Sequence, residues 1–269
     1  MNNIKESLIL IKRNKAVFSV IFALQVLFFV IVAAAGTIYI GKIIESSRSM
    51  LDYAESINLN QEDVQLSMMV QQNAFGDDPL LISRNYDDII MNFLVFISII
   101  FASFVLINGL MWYFASTMGN KKVFSLKKIK FYLLKFSVIS VIAFSAFSVL
   151  LYSSMRFFFS GFLSSSQKKP LLLLILLPVL LYFIYVSMPL IGNAKFRQLP
   201  KKALNAGKNM GILASCAVSL FAIAASSLLV FYSVDSGLPL LLASVIFFFF
   251  VFSWGKVYFS IAVRKSGSL

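Results

Sequence analysis

VFSVIFALQVLFFVIVAAAGTIYIG, residues 17–41, carries no charged side chain, and Gln25 is its only amide. The hydrocarbon core of a bilayer is about 30 Å thick, so a helix needs about 20 mostly apolar residues to cross it. Residues 17–41 exceed that. Coiled as an α-helix, the stretch also closes its own backbone hydrogen bonds, which lipid cannot do for it. Working outward, the same pattern recurs over Ile89–Ser116, Phe131–Met155, Leu171–Gly192, Gly211–Val234 and Leu238–Val263. Six apolar stretches predict an all-α, polytopic helical membrane bundle of about six transmembrane helices.

Composition agrees. The chain has 269 residues, of which 59% are hydrophobic and 13% charged. A soluble domain averages about 45–50% apolar and about 25% charged. The polar remainder is too small for a second core, so residues 1–269 read as one integral membrane domain. The lone cysteine, Cys216, falls inside the fifth stretch and reads as small apolar packing.

The net charge of +13 is distributed unevenly. Lys5, Lys12, Arg13 and Lys15 precede the first stretch. Lys121, Lys122, Lys127, Lys128, Lys130 and Lys135 lie between the second and third. Lys195, Arg197, Lys201, Lys202 and Lys208 lie between the fourth and fifth, and Lys256, Arg264 and Lys265 close the chain. Glu6 is the only acid among them; the other ten acids fall on the alternate connections. Cytoplasmic loops carry excess Lys and Arg. The expectation is a cell-membrane protein with cytoplasmic N- and C-termini. A basic chain can also bind nucleic acid. Here the lysines cluster at span ends, so anionic lipid headgroups are the expected partner and nucleic acid is not.

The N-terminus has some features of a signal peptide, with Ala33-Ala34-Ala35 as a small-residue cleavage site. The apolar run continues to Gly41, longer than a signal core, so it is read as a retained span.

Residues 1–16 form an amphipathic cytoplasmic lead-in, with Ile4, Leu8 and Ile11 on one face. Ser125 before Leu126, and Pro200 ahead of Ala203 and Leu204, mark similar starts before the third and fifth spans. Three helical hairpins follow: roughly 1–118, 119–194 and 195–269. Residues 42–88 predict a small helical extracellular cap. There Ile44, Leu51, Ala54 and Ile57 would extend the first helix, Asn60 would start another, Gly76–Pro79 would turn, and Asn85 with Asp88 would cap the second span. Pro178 and Pro189 should kink the fourth span or end it early.

Candidate sites are few. Ala203, Gly207, Gly211, Ser215 and Ser219 recur every four residues, and Ala33, Thr37 and Gly41 form a shorter stripe. Small residues let helices approach closely, so both stripes are read as helix-packing or interface positions. Ser137, Ser140, Ser145 and Ser148, with Asn108, are candidates for a polar path. Gln25, Asn92 and Asn108 are the main polar groups deep in spans. Lys256 lies about 27 Å along its helix from Leu238. The expectation is that it snorkels to the inner face; binding of an anion or lipid headgroup is the alternative.

The sequence has no histidine, no thiolate pair, and no acid inside a predicted span core. Ser-His and zinc chemistry lack their residues. Asp77, Asp78, Asp87 and Asp88 do not follow a calcium-loop spacing. No catalytic, cofactor or metal residue is assigned, and an enzyme is not expected. The expected function is a membrane-embedded subunit or scaffold acting through helix–helix contacts, as a homo- or hetero-oligomer. The alternative is a permease or passive transporter for an apolar or lipid-like substrate, working with a separate cytoplasmic ATPase.

Overall fold

In the computed structural model, the structure describes residues 2–56, 80–118, 125–161, 168–192 and 196–267. Those residues are 96% helix, with no strand among them. In chain order the helices are α1 (Asn2–Arg13), α2 (Lys15–Ser56), α3 (Leu81–Ser103), α4 (Gly109–Thr117), α5 (Leu126–Gly161), α6 (Lys168–Leu190), α7 (Leu199–Gly207), α8 (Met210–Ser233) and α9 (Leu238–Gly267). A π-helical segment, Phe104–Asn108, joins α3 to α4.

Five helical stretches are long and apolar enough to cross a membrane: Lys15–Tyr53, Leu81–Thr117, Leu126–Val149, Met210–Ser236 and Leu238–Lys265. The fourth predicted span coincides with α6, whose sequence carries no charge after Lys169. α6 passes through Pro178 and stops one residue after Pro189. Helix α2 has 42 residues. At 1.5 Å each that is about 63 Å, roughly twice a bilayer core. The apolar positions Ile44 and Leu51 therefore continue the first span's own helix. Asn60 and Gly76–Pro79 lie outside the described residues.

One expected cap is corrected. Helix α3 begins at Leu81, so Asn85 sits inside it. Its amide donates to the Leu81 carbonyl at 3.0 Å and to Ser49 Oγ at 3.3 Å. Ser125, by contrast, stands just before α5, and its carbonyl accepts from the Lys128 and Ile129 amides.

The chain divides into two compact units, Met1–Leu27 with Val105–Leu269, and Phe28–Phe104. In the first, α9 packs against α1, α4, α6, α7 and α8. Its tightest partner is α8. The two are joined by a turn at Gly237, whose φ of 99° is in the left-handed region that glycine tolerates. Ser215, Ser219, Ser226 and Ser233 of α8 are buried. Ser233 Oγ meets Ser244 Oγ at 2.6 Å, Tyr258 donates to Ser215 Oγ at 3.4 Å, and Ser219 Cβ lies 3.6 Å from where a Gly255 Cβ would be. Small side chains on both helices permit this approach.

Aromatic rings fill the rest of this core. Trp112 of α4, Tyr185 of α6 and Phe259 of α9 meet with centroids 4.5–6.5 Å apart. A helix end leaves its last carbonyls unpaired. At the end of α6 those carbonyls are met by α5: Tyr132 donates to Met188 O at 2.9 Å and Lys135 to Ile191 O at 3.4 Å. Tyr182 of α6 donates to Gly207 O at 3.0 Å, closing α7 in the same way. A lysine at a helix C-terminus also opposes the helix dipole favourably.

Helix α1 is tied to the end of α9. Trp254 Nε1 donates to Ser7 Oγ at 3.0 Å, and Lys265 pairs with Glu6. Ile4 and Leu8 stay exposed, on the apolar face expected to meet lipid.

Gly207 lies under Phe183, where a Cβ would come within 2.5 Å of Cε1. We expect Gly207→Ala to destabilise the bundle by about 1–3 kcal/mol through overpacking. At the exposed Gly211 an added Cβ would stand 3.1 Å from the capping Asn209 Oδ1, so Gly211→Ala should cost less, about 0.5–1 kcal/mol. Thermal unfolding of both variants in detergent checks the difference; equal effects would refute the packing assignment.

Candidate functional site

A lysine cannot be left alone inside an apolar bundle, because an unpaired ammonium loses its hydration there. Lys256 of α9 is 3% exposed. Its Nζ donates to Gln25 Oε1 at 2.6 Å, to Asn108 Oδ1 at 2.9 Å, and contacts Met111 Sδ at 3.3 Å. The Phe252 ring lies one turn back, with Nζ 5.1 Å from its centroid. The expected snorkelling is thus corrected. The ammonium turns inward because two amide oxygens and a thioether replace its water. The acceptors are neutral, so the cluster carries one uncompensated positive charge whenever the amine is protonated.

Three segments supply the cluster. Gln25 comes from α2 and is 1% exposed; Asn108 ends the π segment; Met111 lies one turn into α4. The π segment explains how Asn108 reaches the site. No residue of α3 is buried, whereas Ile107–Ala115 is largely buried. A π turn carries one extra residue and rotates the helix that follows it. That rotation turns Asn108 and Met111 into the core. At about 1.5 Å per residue, Gln25 sits about 15 Å from Lys15 and Lys256 about 14 Å from Lys265. The amide and the ammonium thus lie at similar distances from the basic ends of their helices.

Lysine has three N–H donors, and three acceptors surround it. An anion or lipid headgroup at Lys256 would have to displace one of them. Ser253 and Ser260 share the Lys256 face of α9, and their buried hydroxyls have no partner among the described residues. Small polar residues at i−3 and i+4 are the signal that this face meets other helices rather than lipid. Sequence reasoning had Gln25, Asn108 and Lys256 separately; it lacked their convergence, and it missed Met111.

The remaining candidates scatter. Ala203 is buried and Gly207 packs on α6, but α7 ends at Gly207 and Asn209 caps a new helix, accepting from the Gly211 amide at 2.8 Å. The five-residue stripe is therefore split between two helices, with Gly211 exposed and Ser215 and Ser219 facing α9. Ala33, Thr37 and Gly41 are exposed on α2. Of the α5 serines, Ser140 is buried without a partner, Ser137 is half-buried and bonded to Leu134 O, and Ser145 and Ser148 are exposed. Asn92 is half-buried and donates back to Asp88 O. Asn108 serves Lys256 rather than joining the α5 serines. Asp77 and Asp78 lie outside the described residues.

The fold and this cluster define a class: a helical membrane-embedded protein with several apolar helices and a polar lock in its core. No protein family, curated protein or solved structure matches the chain.

The lock's energetics are asymmetric. Removing one partner of a buried charge costs about 3–5 kcal/mol, whereas exchanging the charge for an apolar group of similar size is often neutral or stabilising. Gln25→Leu should therefore destabilise the protein more than Lys256→Met does. Lys256→Met should also rescue Gln25→Leu. A double-mutant cycle on detergent unfolding measures this, and simple additivity would contradict it.

Proposed function

We propose that this chain is a non-catalytic, membrane-embedded subunit or scaffold that works through helix–helix contacts. The carrying observation is the exposed small-residue face of α2. Ala33, Thr37 and Gly41 lie on it, and a Cβ added at Gly41 would meet nothing within 4 Å. Thr37 Oγ1 donates to Ala33 O at 3.0 Å, so its hydroxyl is satisfied within the helix. Lipid gains little from such a surface, while a second helix gains close van der Waals contact. The Lys256 lock supports the same reading, because its donors hold helices together.

The proposal has six spans, with both termini in the cytoplasm of the cell-membrane protein. It rests on the lysines and arginines near alternate span ends. Its partners are a second copy or another membrane chain, on an inner leaflet of anionic lipid.

Gly41→Leu combined with Ala33→Leu should abolish crosslinked or native-mass oligomers while leaving the unfolding temperature unchanged. A chain that is monomeric before substitution, or oligomers that survive it, would sink the reading. For orientation, Cys216→Ser combined with Lys128→Cys should be labelled by a membrane-impermeant maleimide only after the cells are opened.

A further inference from the structure

The first unit contains a groove that the Lys256 lock does not use. It lies among α5, α6 and α7 and holds about 310 Å³ of space. Ile139, Ala143 and Ala146 form one wall, Leu180 and Phe183 another, and Leu204 closes the α7 side. Ser187 also borders it, but its hydroxyl already donates to Ile184 O at 2.6 Å. The groove therefore offers its occupant an apolar surface. It follows α5 from Ile139 to Ala146, a length of about 11 Å. It is open on the side of Ile142, which is 60% exposed on the apolar surface of the bundle.

The charge beside it is of one sign, with no acid between Phe196 and Gly211. In α7, successive residues turn about 100°. The groove-lining residues Leu199, Pro200, Ala203 and Leu204 span about 140° of its face; the exposed Lys201 stands about 60° beyond Leu204, and the exposed Lys208 follows the last residue of the helix. Arg197, in the short turn before α7, is exposed next to Phe196, another lining residue. The exposed Lys202 stands about 60° beyond Leu199 on the other flank. α7 starts with Gln198 at its cap position, whose side chain makes no cap bond. An apolar slot of this kind, ending at a cluster of cations at the membrane edge, complements an acyl chain joined to an anionic headgroup.

We propose that this groove is a specific site for one anionic phospholipid. One acyl chain lies between α5 and α6 against α7, and the phosphate is held by Arg197, Lys201 and Lys208. The site would fasten α7, the amphipathic turn ahead of α8, to the inner leaflet. It is independent of the oligomeric reading of α2.

The test is native mass measurement of the full chain released from nanodiscs of phosphatidylglycerol mixed with phosphatidylcholine. One retained phosphatidylglycerol per chain is expected, in preference to phosphatidylcholine. Each basic residue near an anionic surface contributes about 1 kcal/mol, about fivefold. Lys201→Gln with Lys208→Gln should then weaken retention about thirtyfold, and Lys42→Gln, at a lysine that does not border the groove, should leave it unchanged. Ala143→Trp, which fills the slot, should reduce retention with the cations intact. As a check needing no substitution, phosphatidylglycerol with a photoactivatable acyl chain should label 139–146 and 180–187 of the unaltered protein. Equal retention of phosphatidylcholine would overturn the proposal. So would label spread evenly over exposed faces such as Phe221 and Phe231, or glycerol phosphate competing as well as the intact lipid.

Discussion

A polar group withdrawn from both water and lipid has to find its partner inside the protein. The ammonium of Lys256 makes that requirement most acute, because its solvation must be rebuilt from side chains of other segments. Gln25 and Asn108 supply the oxygens, and Met111 supplies a polarizable sulfur. Supplying them fixes the rotation of α2 and α9 about their own axes. It also gives the π segment a purpose, since a regular α-helix through 104–108 would turn Asn108 to another face. An apolar surface alone would let these helices rotate over one another at little cost, because lipid competes equally well for it. The lock removes that freedom.

The same requirement shapes the ends of the helices. α6 stops beside Pro189, and its carbonyls would be stranded were it not for Tyr132 and Lys135. Lys135, counted by its sequence position among the basic residues of a connection, is 9% exposed and works as a cap. Tyr182 does the equivalent for α7, a helix too short to hold its place by packing alone. Basic residues in this chain thus do two jobs. Those such as Lys201 and Lys208 stay exposed at the surface. Lys135 turns inward to the Ile191 carbonyl, and Lys256 to two amide oxygens.

Small residues follow a parallel logic. Ser215, Ser219, Ser226 and Ser233 let α8 lie close against α9, where Gly255 and Ser244 answer them. Their spacing of four and then seven keeps to one helical face. The regular spacing of four that runs from Ala203 to Ser219 does not correspond to one face, because Lys208 and Asn209 interrupt the helix. A periodic pattern shows which residues would share a face only if the helix carrying it is continuous.

By itself, the sequence determined that the chain is helical and apolar enough for a membrane, roughly where the long helices lie, and which few side chains were costly to bury. Those properties follow from local composition, as hydrophobic length and backbone self-sufficiency depend only on neighbours in the chain. Only the tertiary structure decided that Lys256 turns inward, that Gln25 and Asn108 belong to one cluster, and that the α7–α8 break divides the small-residue stripe. Those outcomes depend on helix rotation, on a one-residue π insertion and on partners up to 231 positions apart. No periodicity within a single segment encodes them.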